Sequence, residues 1–256
     1  MNLPTIDELR SAQSRISPHI NLTPYVPNYG ERVSELVPDV DLQLKLELFQ
    51  RTGSFKPRGA VNVLSSLAAD ALKSGVTAVS AGNHAIATAY AASVVGTSAK
   101  VVMPSTANAY RVETCKRYGA EVVLTESIAA AFKEVERLNQ QEGRTVVHPF
   151  EGPATTTGNA SLALEILGID KDIQDIVVPI GGGGLISGIA VAVKSVLPDC
   201  RVIGVEPEGA CGMMKSLEQG SPLPEVLVNT IADSLGAPLH LPYSFSMIQQ
   251  LSLIHI

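Results

Sequence analysis

The chain has 256 residues, of which 45% are hydrophobic and 17% are charged, and its formal net charge is −6. This composition excludes a disordered chain, and the length allows one large domain or two smaller ones. Because the charge is negative and no basic block occurs, we expect neither a nucleic-acid partner nor an anionic-membrane partner.

The cysteines and the N-terminal segment bear on the cellular compartment. Cys115, Cys200 and Cys211 form no CxxC pair and are odd in number, which indicates buried thiols in a reducing cytosol. The first residues, MNLPTIDELR, lack the basic start and apolar core of a signal peptide. The uncharged stretch 176–193 includes four consecutive glycines and is shorter than the ~20 apolar residues that a bilayer span needs. We therefore expect a cytoplasmic protein without a membrane span.

Short β-branched runs alternate along the chain with alanine-rich, amphipathic segments. The predicted strands are 42–47, 76–80, 99–103, 121–125, 145–148, 175–180 and 201–205. The predicted helices are 57–73, 83–95, 107–118, 127–141, 155–167 and 184–196. This alternation predicts an α/β fold of βαβ units, with parallel sheets covered by helices on both faces. No linker separates the elements, so a second domain would be inserted into the first.

The segment RTGSFKPRGA, residues 51–60, surrounds Lys56 with small, polar and helix-breaking residues. A lysine that only solubilises a surface does not need such neighbours. A nucleophilic lysine does, because its amine must be held at a defined point and partly desolvated. The segment therefore predicts that Lys56 is a nucleophile.

The segment SAGNHAIATAYAAS, residues 80–93, joins the end of a strand to the start of a helix. Ser80, Gly82 and Asn83 offer a hydroxyl, backbone donors and an amide at a helix N-terminus, which favours binding of a carboxylate. An ordinary N-cap explains the same residues, and the motif alone does not exclude it. His84 by itself is more typical of a packed histidine than of a catalyst.

The segment PIGGGGLISGIA, residues 179–190, carries a glycine loop between a strand and a helix. Consecutive N–H groups without Cβ atoms, next to the positive end of a helix dipole, favour a phosphate. A P-loop is excluded because leucine and isoleucine follow the glycines in place of Lys-Ser/Thr. Gly182, Gly184 and Gly188 give GxGxxxG and not GxGxxG, yet Glu206 ends the next strand, so a dinucleotide site stays open as an alternative. A flexible glycine turn is the other alternative.

A nucleophilic lysine, a phosphate-binding loop and a carboxylate-binding loop are together what pyridoxal 5'-phosphate (PLP) chemistry on an amino acid requires. From about Thr23 to Leu235 the chain resembles the threonine/serine dehydratase and serine racemase family, which are fold-type II PLP enzymes. The segments that carry the resemblance are SFKPRGA, SAGNHA, YGAEVVL, VVHPFEGP, VVPIGGGGLISGIAVAVKS, RVIGVEPEGA and TIADSLG. The resemblance implies two parallel-sheet, three-layer domains, as in tryptophan synthase β. The large PLP-binding domain would comprise 1–77 plus 155–256, and the small inserted domain 78–154.

The resemblance also implies a role for each motif residue. Lys56 would form a Schiff base with PLP and later remove the substrate α-proton. Phe55 would pack beside the pyridine ring, and Asn83 would hydrogen-bond the 3-hydroxyl. The phosphate would be held by Gly181, Gly182, Gly183 and Gly184. The substrate carboxylate would be surrounded by Ser80, Ala81, Gly82, Asn83 and His84.

The reaction implied by the resemblance is β-elimination from a small L-β-hydroxy amino acid, such as threonine or serine, to a 2-oxo acid and ammonia. Racemases of the group carry a serine at position 81, which protonates the opposite face of the α-carbon. Ala81 has no proton to give, so elimination is favoured. The alternatives are an amino-acid racemase, a β-replacement enzyme and an inactive truncated fragment.

The chain departs from the family at several positions. It has TGNAS at 157–161 where the family usually has Gly-Gln-Gly-Thr, and Ser234 where a glycine lies close to the ring. The divalent-cation site of some relatives would use Glu206 and the carbonyl of Ala210, but Gly212 stands where an acidic ligand is expected. Because Mg²⁺ and Ca²⁺ need several oxygen ligands, we expect no metal.

The last six residues, LSLIHI, follow a polar segment without a helix cap. We expect from this that the chain is C-terminally truncated. In relatives a Ser, Thr or Cys beyond this point binds the pyridine nitrogen. We also expect a homo-oligomer.

Overall fold

A computed structural model describes residues 2–28 and 30–255 of the chain. Met1 and Ile256, the ends of the predicted large domain, and Tyr29 within it lie outside the described residues. The helices are α1 Ile6–Ile16, α2 Glu31–Leu36, α3 Lys56–Ser65, α4 Ala69–Ser74, α5 Asn83–Val95, α6 Ala109–Arg117, α7 Ile128–Glu142, α8 Pro153–Ile169, α9 Gly184–Val196, α10 Gly212–Gln219 and α11 Pro242–Leu251. The strands are β1 Tyr25–Pro27, β2 Gln43–Lys45, β3 Val76–Val79, β4 Ala99–Pro104, β5 Glu121–Thr125, β6 Thr145–Val146, β7 Asp175–Pro179, β8 Arg201–Val205 and β9 Leu253–His255.

Two parallel sheets form the framework. One has the strand order β5-β4-β3-β6, and the other has the order β7-β8-β9. In the first, Val76 is in register with both Ala99 and Thr145; in the second, Val178 is in register with Gly204. Every pairing within these two sheets is parallel. The predicted α/β class with parallel sheets is therefore confirmed.

The N-terminal part of the chain differs from the prediction in two places. The strand predicted at 42–47 is wrong as a member of a parallel sheet, because β2 pairs antiparallel with β1. In this two-stranded ribbon Leu44 is exposed, as an edge strand allows. The single helix predicted at 57–73 is two helices, since α3 ends at Ser65 and the Ser66 hydroxyl donates to the Asn62 carbonyl at 2.8 Å. A serine that bonds the backbone in this way competes with continued helix.

The four-stranded sheet is buried on both faces. Val101 and Met103 of β4 belong to the core shared with α3 and α5, whereas Val102 between them packs against α7. The three-stranded sheet is buried on one face, where Val178 and Val202 pack against α8 and α9. On its other face Val177 is 62% exposed. The division into 1–77 plus 155–256 and 78–154 stays a prediction; the four-stranded sheet spans 76–146.

Helix α8 lies close to both α3 and α9, and glycines permit the approach. A Cβ atom on Gly158 would collide with the carbonyl oxygen of Arg58 in α3, and one on Gly188 of α9 would lie 2.6 Å from the carbonyl oxygen of Thr156. This packing holds the N-terminus of α3, at Lys56, on the same framework as the N-terminus of α9, at Gly184. No helix in the described part of the chain is long and apolar enough to cross a bilayer.

Candidate active site

Lys56 is the first residue of α3 and is half-buried. Pro57 follows it in the first turn, where a missing N–H costs the helix nothing. The Lys56 Nζ atom donates a hydrogen bond to the carbonyl oxygen of Pro149 at 2.7 Å, and it lies 5.1 Å from the centre of the Phe55 ring. The backbone and the aromatic ring thus fix the position of the amine.

Burial lowers the pKa of the Lys56 amine to about 8. Among residues 2–28 and 30–255 no carboxylate forms an ion pair with this amine. A carbonyl oxygen and the face of an aromatic ring stabilise the charged form less than a carboxylate would. Near neutral pH a fraction of the amine is therefore neutral, as nucleophilic attack or proton abstraction needs.

Two histidines near Lys56 are neutral. His84 Nε2 lies 2.8 Å from the Val147 carbonyl oxygen, which can only accept, so this nitrogen carries the proton. Burial, together with the nearby Lys56 amine, lowers the pKa of His84 to about 3 and that of His148 to about 4. The His84 side chain is buried, and its hydrogen bond points it at the backbone of Val147.

The glycine loop has the form predicted for an anion site. It follows β7 and precedes α9, whose N-cap residue Gly183 has φ +95° and makes no side-chain cap. Among the described residues no hydrogen-bond acceptor faces the N–H groups of Gly181, Gly182, Gly183 and Gly184. A Cβ on Gly182 would collide with the Phe150 ring, and one on Gly184 would lie 2.6 Å from the Phe150 carbonyl oxygen. Glycine is required here by close packing as well as by conformation.

The segment 149–150 connects the lysine to the glycine loop. Pro149 accepts the hydrogen bond from Lys56, and the next residue, Phe150, packs directly on Gly182 and Gly184. The amine and the loop therefore contact two consecutive residues of the chain. The structure brings these two predicted features together.

Residues 80–84 form the third loop, at the carboxyl end of β3. The Ser80 hydroxyl accepts a hydrogen bond from the Gly82 N–H at 3.1 Å. The N-cap of α5 is Gly82, and no side chain in the described part of the protein caps this helix. Neither Ser80 nor Asn83 is thus an ordinary N-cap. The half-buried Asn83 and the first N–H groups of α5 remain available to a ligand.

The segment 233–235 lies against the glycine loop and binds Arg111, which lies beside the loop 80–84. Arg111 of α6 donates to Asp233 at 2.9 Å and lies 3.2 Å from the point where a Cβ of Gly82 would be. A Cβ on Gly181 would lie 3.3 Å from Leu235 Cα. Ser234, predicted to be near the ring, is exposed beside this contact. The Arg111–Asp233 pair was not predicted, because no local sequence pattern indicates it.

Glu206 does not act as a free ligand. Its carboxylate accepts hydrogen bonds from the N–H groups of Met213 and Met214, at 2.9 and 2.8 Å, at the start of α10. A Cβ on Gly212 would lie 2.5 Å from His240 Nε2, so the imidazole fills the space of a side chain there. Within the part of the chain that the structure describes, no group of three His, Cys, Asp or Glu residues could hold a metal ion. The absence of a metal stays a prediction.

The groups present fit PLP. The Lys56 amine is suited to react with an aldehyde, and the N–H groups at the start of α9, which have no acceptor within residues 2–28 and 30–255, are suited to bind a phosphate. The family model described as "Pyridoxal-phosphate dependent enzyme" matches residues 16–253. The chain belongs to this family. The fold-type II class and PLP as the cofactor are thereby confirmed.

Individual relatives of this PLP-dependent family agree with the resemblance. Phenylserine dehydratase from Ralstonia pickettii is 45% identical over 245 residues, which cover 96% of this chain and 74% of the relative. The catabolic L-threonine dehydratase from Escherichia coli is 39% identical, over 93% of this chain and 72% of the relative. The structure of maize serine racemase is similar with a TM-score of 0.91 and 35% identity, covering 99% of this chain and 76% of that protein. The predicted resemblance to dehydratases and serine racemase is confirmed.

Proposed function

We propose that the protein is a PLP-dependent ammonia-lyase that eliminates the β-hydroxyl from a small L-β-hydroxy amino acid, giving a 2-oxo acid and ammonia. Dehydratases at 45% and 39% identity support this reaction class. Threonine and serine are the first substrates to test, and 3-phenylserine belongs with them because one relative is a phenylserine dehydratase.

The observation that carries the proposal is the environment of Lys56. Its amine is half-buried, has a pKa of about 8 because of burial, and is held at 2.7 Å from the Pro149 carbonyl, next to the glycine loop. PLP, when bound, supplies an electron sink that stabilises negative charge at the substrate α-carbon. Lys56 Nζ is the proposed base that takes the α-proton, since a pKa close to the working pH suits proton transfer.

The remaining residues orient the substrate and shield it. Gly181–Gly184 are proposed to hold the phosphate, and the loop Ser80–His84 the substrate carboxylate, through N–H groups at the start of α5. His84 would act there through its backbone, because its imidazole is bound to Val147. Arg111, which is bound to Asp233 and lies beside Gly82, would help to hold the loop 80–84 in position.

Ala81 argues against racemisation. To invert the α-carbon, an enzyme must deliver a proton to the face opposite the base, and a methyl group has none to deliver. We expect Ala81→Ser to raise the rate of serine racemisation and to leave the Lys56 amine in place. The rate is measured by chiral chromatography of L-serine incubations. Rapid racemisation by the unmodified enzyme would contradict the argument.

The deciding experiment uses the PLP-loaded protein. The Schiff base between PLP and Lys56 should absorb violet light. After borohydride reduction, peptide mass spectrometry should show the added mass of PLP on Lys56. Release of 2-oxo acid is then compared across threonine, serine and 3-phenylserine. Labelling of a different lysine, or no 2-oxo acid from any hydroxy amino acid, would overturn the proposal. A cytoplasmic location and a homo-oligomeric state are further predictions, to be checked by cell fractionation and light scattering.

A further inference from the structure

A small cavity lies beside Lys56, between α3 and α8. Its polar wall is formed by Lys56, His84, His148, Thr155 and Asn159. The space open to the centre of a water molecule is about 10 Å³, close to the ~10–15 Å³ that one bound water needs. A cavity of this size with several polar groups is suited to a water molecule and not to a larger ligand.

Asn159 supplies the acceptor. It is 2% exposed, and its Nδ2 donates to the carbonyl oxygen of Gly184 at 2.9 Å, but its Oδ1 has no hydrogen-bond partner among the described residues. A Cβ on Gly59, which also lines the cavity, would lie 3.0 Å from this Oδ1. A buried oxygen without a donor is unfavourable, and buried water commonly satisfies such atoms.

Donors for the same water are also at hand. Lys56 Nζ donates one of its protons to the Pro149 carbonyl oxygen and has others available. The Nδ1 atom of His148 accepts from the N–H groups of Phe150 and Glu151, at 3.3 and 3.1 Å, so the other nitrogen carries the ring proton. A water between these groups would have the two or more partners that ordered water requires.

We propose that the cavity holds one water molecule that accepts from Lys56 Nζ and donates to Asn159 Oδ1. Asn159 is then a positioning residue for the amine, and it also holds the glycine loop through the Gly184 carbonyl. The position of the water depends only on Lys56, Asn159 and the cavity between them. Its meaning for catalysis rests on the proposed function. Because the water accepts from the charged amine, its removal lowers the pKa of Lys56.

The first test is a high-resolution crystal structure of the PLP-free protein. A single water peak within hydrogen-bond distance of Asn159 Oδ1 and Lys56 Nζ is expected. An empty cavity, or a water that contacts only one of these two atoms, would overturn the proposal.

The second test displaces the water without changing either partner. Gly59→Ala places a methyl group at the cavity wall, and Val63→Ile adds one from another lining residue if the first variant does not fold. The pH dependence of Lys56 acylation, followed by peptide mass spectrometry of PLP-free protein, should shift downward by about one unit. Gly168→Ala is the matched control and should show no shift, because an added Cβ there would have no described atom within 4 Å outside its own helical turn. An unchanged Lys56 profile in a variant whose cavity is filled would refute the water's role, whatever the enzyme's activity.

Discussion

Lys56 and Arg58 are two residues apart at the start of α3, yet their surroundings are opposite. Arg58 is fully buried, and its guanidinium binds Glu47 at 2.7 Å and Glu165 at 2.6 Å. Burial alone would lower the pKa of Arg58, but the hydrogen bonds to these two carboxylates outweigh it and raise the pKa. Lys56 has the Pro149 carbonyl oxygen and the Phe55 ring as neighbours and no carboxylate among the described residues, so burial lowers its pKa to about 8.

The difference follows from helix geometry. Successive residues are ~100° apart around a helix, so positions 56 and 58 point in different directions. One faces the cavity beside His84, and the other faces a buried ion cluster that also includes Lys45, bound to Glu165 at 2.6 Å. The same short segment thus contributes Lys56 as a reactive amine and Arg58 as a structural cation. The difference arises because Arg58 has carboxylate partners and Lys56 has uncharged ones.

The largest expected effect is on activity at Lys56. In Lys56→Met the PLP-loaded protein loses its base, and we expect kcat/KM for 2-oxo acid release to fall by at least ~10²–10⁴-fold. The unfolding free energy of the PLP-free protein should stay the same or rise, because a desolvated amine without a counter-charge is removed. A large loss of stability would show that Lys56 is a structural cation like Arg58.

Arg58→Met should have the reverse outcome. It leaves Glu47 and Glu165 buried without their main cation, and the expected loss is ~3–5 kcal/mol of unfolding free energy, measured by urea denaturation of PLP-free protein. Lys45 alone cannot neutralise both carboxylates. A variant as stable as the parent would mean that the ion cluster does not contribute to stability.

The lowered pKa of Lys56 should also make the stability of the protein depend on pH. The folded-state pKa of Lys56 is about 8 and its ordinary value is 10.5, so between these pH values the unfolded chain binds more protons and stability rises with pH. The destabilising contribution of Lys56 is fully present below about pH 8 and is relieved towards pH 10.5. The stability of Lys56→Met minus that of the parent should therefore shrink over this range, by on the order of 1–3 kcal/mol. A constant difference would show that the amine is not desolvated.

The sequence predicted the features that depend on local chemistry. Lys56, the glycine loop and the loop at residues 80–84 are recognisable because a short segment contains both the reactive group and the geometry around it. The parallel sheets followed from apolar runs of adequate length. The three-residue strands β1 and β2 are too short for periodicity to show how they pair.

What the sequence did not reveal are contacts between distant positions. The acceptor for Lys56 is 93 residues away, the partner of Arg111 is 122 residues away, and Glu165 is 107 residues from Arg58. No pattern within a segment identifies such partners. The pKa of Lys56 therefore could not be predicted, because it depends on the absence of a carboxylate as much as on the lysine itself.

The smallest effect is expected at an exposed cation. Lys73 binds Asp70 at 2.8 Å on the surface of α4, and the two side chains are 79% and 92% exposed. Water screens this pair, so Lys73→Met should change the unfolding free energy by no more than about 0.5 kcal/mol and should leave kcat/KM unchanged. Lys73→Met is the matched control for Arg58→Met, because each variant removes one positive charge. The two are compared by urea denaturation in parallel. If both variants lost equal stability, the loss at Arg58 would come from the change in net charge and not from burial of the guanidinium.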